Sequence, residues 1–141
     1  MELDVFQVDA FSDRPFAGNP AGVVPLQSWL PEAMMQSIAA EMNLAETAFF
    51  APENGHHRIR WFTPTIEVDL CGHATLASAH VLFNDLGTTA QQLVFESKSG
   101  SLSVAKSGAR LELDFPSYAA RPAPAALAKV AACFDVKPVE L

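Results

Sequence analysis

The segment from Gly72 to Phe83 constrains this chain most. Ala74, Leu76, Ala77, Ala79, Val81 and Phe83 give it the dense apolar pattern of a buried helix. Just upstream, His57 to Phe62 alternates loosely, as a strand does. The stretch Phe62-Thr63-Pro64-Thr65-Ile66-Glu67-Val68-Asp69-Leu70-Cys71-Gly72-His73-Ala74-Thr75 therefore marks a corner where extended chain becomes helix, with Gly72 and His73 at the helix start.

That position has chemical consequences. The first N–H groups of a helix lack intrahelical acceptors and carry the positive end of the macrodipole. A substrate carboxylate or an enolate-like oxygen is stabilised there. Gly72 puts no side chain in the way of a ligand, and His73 can carry a proton at neutral pH. The plainer alternative is a tight turn with a solvent-facing ring. A second feature favours chemistry: in Asn43-Leu44-Ala45-Glu46-Thr47-Ala48-Phe49-Phe50, one acid opens an apolar strand directly after a helix. A carboxylate in such surroundings loses hydration, which raises its pKa toward the range useful for proton transfer. The alternative for Glu46 is a strand-edge residue pointing to water.

Strands are expected near Asp4 to Ala10, Gly22 to Pro25, Thr47 to Ala51, Arg58 to Phe62, Leu93 to Ser97, Leu102 to Lys106 and Arg110 to Asp114. Helices are expected over Pro31 to Met42, Gly72 to Asp85 and Pro124 to Phe134. Pro31 suits a first helical turn, Ala33, Met34, Ile38 and Met42 form an apolar stripe, and Asn43 can end that helix. Between Glu96 and Phe115, two short turn clusters separate alternating runs, a meander. Consecutive antiparallel strands with helices on one side indicate an α+β fold rather than a doubly wound sheet. Residues 116–124, rich in proline and alanine, read as a linker between a domain over 1–115 and the start of another over 125–141.

The motifs also stand in a telling order. Asp4-Val5-Phe6-Gln7-Val8-Asp9-Ala10-Phe11 is followed by Phe16-Ala17-Gly18-Asn19-Pro20-Ala21-Gly22-Val23-Val24, then by the first helix, the Glu46-Thr47 strand entry and Cys71-Gly72-His73-Ala74-Thr75. In this register the chain resembles the PhzF-like phenazine biosynthesis family, cofactor-free relatives of diaminopimelate epimerase. The resemblance implies a curved, mostly antiparallel sheet wrapped around a central helix, here Gly72 to Asp85, whose Ala74, Ala77, Ser78 and Ala79 let the sheet approach closely. It implies that Glu46 is the main proton-transfer group, that His73 binds and polarises the substrate, and that Asn19 points its amide at a ligand, the plainer alternative being an ordinary turn former before Pro20; Gly72 and Ala74, at the helix start, are the other expected substrate-binding residues. It implies no cofactor. Cys71 falls at the place of one of the two catalytic cysteines of diaminopimelate epimerase, although His73 stands where that enzyme has asparagine. The family's second half supplies an aspartate and a Gly-Ser-Ala-type helix start that nothing here matches, so the resemblance covers about half of a family member. It leads to the expectation of a truncated second domain and of a partner: another copy of the chain or a separate second-half chain.

Composition narrows the function classes. A formal charge of −7 argues against nucleic acid, whose phosphates demand basic patches. It does not forbid a small carboxylate held at a helix start. Cys71 and Cys133 suggest neither a disulfide framework nor a zinc spacing, so a reducing cytoplasm is the expected setting. No export signal or membrane-spanning run is expected. No metal is expected either: His56, His57, His73 and His80 show no ligand spacing, with His56 and His57 read as hairpin-loop residues and His80 as a partly buried helix histidine. The leading expectation is a cofactor-independent isomerase or epimerase moving a proton on a small carboxylate. The alternatives are a non-catalytic binding or dimerisation module and a cysteine-dependent epimerase using Cys71.

Overall fold

Side-chain alternation along one strand divides the molecule into two cores. In β3, Glu46–Glu53, the residues Ala48 and Phe50 join one buried cluster with the central helix, while Phe49 and Ala51 join a second cluster on the opposite face. A strand buried on both faces must be sandwiched, and a helix covers each side. The computed structural model describes residues 2–117, 119 and 131–133. Within them, β1 is Phe6–Ala10, β2 Asn19–Pro25, β4 His56–Phe62, β5 Glu67–Val68, β6 Gln92–Ser97, β7 Gly100–Ser107 and β8 Arg110–Asp114. Helix α1 spans Glu32–Met42 and α2 spans Gly72–His80, continued by a π-helical turn over Val81–Asp85.

The strands form one sheet in the order β1-β2-β3-β4-β6-β7-β8, with β5 added to β4. Neighbours run antiparallel except β2 with β3 and β4 with β6. Those two parallel ladders are the ones whose connections carry a helix, as parallel pairing requires a crossover. The terminal strands β1 and β8 both pack against α2, along with β2 and β3, so the sheet curls around that helix. This is the curved α+β architecture of the diaminopimelate epimerase type. The expectation of helices on one side is corrected: α1 packs its Met35 and Ala39 with Val24, Leu26, Phe49 and Phe62 on the outer face.

Small residues make the wrapping possible. Ala74, Ala77 and Ala79 of α2 are no more than 1% exposed and meet Ala21 of β2 and Ala48 of β3 in one cluster. Trp61, Phe95, Ile59, Leu102 and Val104 fill the rest of that core, each at 1% exposure or less. Each such side chain contributes roughly 2 kcal/mol of burial.

Several local readings change. Strand β2 begins at Asn19 rather than Gly22, because the Gly-Asn-Pro turn is tightened into the ladder with β1, where Ala10 pairs with Asn19. Gly18 is required there, since a Cβ would lie 2.3 Å from the Ala10 carbonyl oxygen. His56 and His57 belong to β4, the turn being Asn54-Gly55, both with positive φ (50° and 82°), as a two-residue hairpin demands. The His57 ring packs against Phe50 and Phe95, and burial, with His56 adding to it, lowers its pKa. His80 is exposed, not partly buried, and its Nδ1 lies 3.0 Å from Asn84 Nδ2. Asn43 does end α1, in the left-handed region at φ 50°. The linker over 116–124 and the helix Pro124 to Phe134 lie almost wholly outside the described residues. Among the described residues, no helix is long and apolar enough to cross a membrane.

Candidate active site

The register of the sheet decides what Glu46 faces. Ala21 of β2 pairs with Glu46 in the parallel ladder, and both project to the side occupied by α2. Asn19, two residues earlier on β2, shares that face about 7 Å along the strand. On the other side, the chain arrives at α2 through Cys71, whose extended backbone (φ −148°, ψ 114°) lets Gly72 begin the helix. His73, the second helical residue, then turns its ring inward and is buried.

The two residues meet. His73 Nε2 lies 3.4 Å from Glu46 Oε2, with 9% of the histidine and 23% of the glutamate side chain exposed. No hydrogen bond joins them, and Nε2 is a fully buried polar atom without a hydrogen-bond partner. The contact is thus at ion-pair distance. On the other ring nitrogen, Nδ1 lies 3.4 Å from Cys71 Sγ. Thr75 Oγ1 donates to the Cys71 carbonyl at 2.6 Å and Ser78 Oγ to that of Ala74 at 2.8 Å, stiffening the first turn.

The thiol is a poor base in this setting. Burial pushes the Cys71 pKa up to about 11, and the Glu46 carboxylate adds to that, while the N–H groups of Ala74 and His73 pull it back. The Ala74 side chain is completely buried. Gly72 also has a different neighbour from the one expected. A Cβ there would meet Phe115 at 3.4 Å and Leu113 at 3.7 Å, ordinary contact distances, so the end of β8 packs beside Gly72. Cys71 Sγ, a His73 ring nitrogen and a Glu46 carboxylate oxygen all lie within 4.8 Å of one another, a grouping of donor types that histidine spacing alone does not reveal. A cation seated there would have to displace the tightly held thiol proton.

A charged network holds the approach to this corner. Arg60 grips Glu67 through two bonds, Nε to Oε1 at 2.7 Å and one amino nitrogen to Oε2 at 2.8 Å, and reaches Glu32 at 2.6 Å. Lys98 adds a 2.6 Å bond to Glu67. These partners, Arg60 first, hold the Glu67 carboxyl down at about 2 despite partial burial. Thr63 accepts from the N–H groups of Thr65 and Ile66 at 3.2 and 3.0 Å, and Gln36 of α1 donates to the Thr63 carbonyl at 2.8 Å. Ser99 donates to the Asp69 carbonyl at 2.9 Å. The segment leading to Cys71 is thus fastened from α1, β4 and the β6–β7 turn. Sequence reasoning missed this frame; its one local signal is Arg60, a partly buried cation flanked by the buried Ile59 and Trp61.

His73 is buried and Glu46 only partly exposed, so the pair lies beneath the surface. Two clefts lie elsewhere: one of about 440 Å³ beside Trp29, Arg58 and Lys98, the other of about 310 Å³ beside Leu3, Leu26 and Leu86. Neither is lined by Glu46, Cys71 or His73.

The phenazine biosynthesis-like protein family model matches residues 8–129. An uncharacterized isomerase of Pseudomonas aeruginosa is 56% identical over 126 residues, covering 89% of this chain and 48% of that protein. The human phenazine biosynthesis-like domain-containing protein is 45% identical over 130 residues, covering 86% and 45%. A crystal structure of a PhzF family protein from Enterococcus faecalis superposes with a TM-score of 0.90 at 47% identity, over 99% of this chain and 54% of that one. A predicted epimerase of P. aeruginosa gives 0.77 at 26% identity, over 96% and 51%. The chain spans about half the length of the curated relatives it matches.

Proposed function

The chain belongs to the phenazine biosynthesis-like family, and from that premise we propose that it provides one half of a cofactor-independent isomerase site. Glu46 moves a proton at a carbon next to a carboxylate, and His73 with the first N–H groups of α2 stabilises the developing negative charge. The substrate is a small carboxylic acid. Asn19, on the same sheet face as Glu46, supplies a polar contact to it, while Gly72 and Ala74 contribute backbone rather than side chain.

One observation carries this reading: a glutamate and a histidine from distant parts of the chain stand 3.4 Å apart at a helix start, with the histidine Nε2 buried and lacking a hydrogen bond. Folded proteins leave few buried polar atoms unsatisfied, and a catalytic role is one of the reasons for those they leave. The names of the isomerase relatives add support. The raised thiol pKa speaks against Cys71 as the base.

The match to about half the length of the relatives supports a further part of the proposal: a second lobe, from another chain or a second copy of this one, completes the site beside Glu46 and His73. The same half-length match favours a second reading, a binding module without turnover. Incubation in deuterated water with a panel of hydroxy and amino acids separates the two, with carbon-bound deuterium followed by mass spectrometry. Incorporation that vanishes in Glu46→Gln supports the isomerase; a blank panel with measurable ligand binding supports the module. Sedimentation of the same sample tests self-association.

A further inference from the structure

Cys71 has so far been only a poor base, yet it is the residue in contact with the second nitrogen of the active histidine. A neutral imidazole carries one proton, so one ring nitrogen donates and the other accepts. Nε2 faces a carboxylate oxygen of Glu46, which when ionised can only accept. A bare lone pair on Nε2 would set acceptor against acceptor at a buried position. The proton therefore belongs on Nε2, which leaves Nδ1 as the acceptor. The group 3.4 Å from Nδ1 is the Cys71 thiol.

We infer that Cys71 is a positioning residue that fixes the tautomer of His73: its S–H donates to Nδ1 and so keeps the ring proton on Nε2, directed toward Glu46. The inference deepens the reading of this site as a proton-transfer pair. The thiol can play this part because it stays protonated at neutral pH, its pKa standing at about 11. Its place is set by the backbone. Cys71 is extended immediately before α2, and its carbonyl is held by Thr75 Oγ1 at 2.6 Å, which fixes the backbone from which the sulfur reaches the ring. A hydrogen bond on one imidazole nitrogen is a recognised way of setting the state of the other.

The test uses nitrogen NMR of the chain labelled with ¹⁵N-histidine, at a pH where the His73 ring is neutral, with its signals identified by their loss in His73→Leu. Wild type should show a protonated Nε2 and an Nδ1 shifted as a hydrogen-bond acceptor. Cys71→Ser, which keeps a donor, should preserve that pattern. Cys71→Ala should move Nδ1 to the position of an unbonded lone pair and raise the Nδ1–H minority. A protonated Nδ1 in wild type overturns the inference, as does an Nδ1 resonance unchanged in Cys71→Ala. Should Cys71→Ala fail to fold, the S–H stretching band of Cys71 decides, recorded by Raman spectroscopy in a Cys133→Ser background. A band lowered by hydrogen bonding supports the inference, and one at the frequency of a non-bonded thiol overturns it. No substrate is involved, so a negative result here leaves the isomerase reading standing, and a blank deuterium panel leaves this inference standing.

Discussion

Replacing Glu67 with glutamine should weaken the fold at neutral pH and leave it almost unchanged in acid. The Glu67 carboxyl has 13% of its side chain exposed and is clasped by Arg60 and Lys98. Its pKa falls from an ordinary 4.5 to about 2 in the folded protein. Each tenfold change in proton affinity is worth about 1.4 kcal/mol, so the gap corresponds to roughly 3 kcal/mol. Lys98 is half exposed and solvent screens its share, which lowers the expected contribution to about 2 kcal/mol. Because the folded pKa is depressed, this stabilisation is complete above the unfolded value of 4.5 and disappears as pH falls through about 2. Urea denaturation of wild type and Glu67→Gln at pH 7 and pH 2.5 reads the difference. The expected result is a gap of about 2 kcal/mol at pH 7 that shrinks to a small fraction at pH 2.5. Equal stabilities at pH 7, or a gap that persists undiminished in acid, would refute the reasoning that the network anchors the approach to Cys71 through charge.

Three further outcomes follow from the packing of α2. Ala77→Leu forces a large side chain into a position 1% exposed between helix and sheet and should cost roughly 1–3 kcal/mol, measured as a lower urea midpoint. Thr75→Val removes the 2.6 Å bond to the Cys71 carbonyl from a fully buried site and should cost about 1–2 kcal/mol, read by thermal denaturation. Alkylation of Cys71 by iodoacetamide, followed by peptide mass spectrometry, should be slower than for a thiol at its ordinary 9.0 by about a hundredfold at pH 7.5. Its rate should rise about tenfold per pH unit and level off only near pH 11.

Much of the fold was readable because its elements are marked at their ends. Asn43 stops α1, Glu46 opens β3 and Gly72 opens α2, each at an abrupt change in hydrophobic period. What periodicity does not report is which strands become neighbours. The β4–β6 ladder is brief, pairing His57 with Phe95 and Arg58 with Glu96 across an intervening helix. Strand β5 is two residues long and leaves no alternation to detect. The π-helical turn at Val81–Asp85 preserves the apolar pattern of a helix while changing its hydrogen bonds, with Leu86 N–H reaching the Val81 carbonyl at 2.9 Å. The site divides in the same way. Glu46 and His73 were legible as an acid and an imidazole at element starts, whereas the Arg60–Glu67–Lys98 network joins neighbouring strands and a turn 31 residues on, which no single period reports. The neighbours of Gly72 were hidden for a related reason: Leu113 and Phe115 return to it from some 40 residues downstream.

The central claim is that Glu46 and His73 work as one proton-transfer pair. Deuterium incorporation into a substrate that wild type labels, compared across Glu46→Gln, His73→Asn and Cys71→Ser, tests it most directly. A positioned acid or base contributes about 10²–10⁴-fold, so both Glu46→Gln and His73→Asn should lose at least a hundredfold in exchange rate, with Cys71→Ser retaining most of it. Full exchange in Glu46→Gln, or a loss confined to Cys71→Ser, would contradict the account.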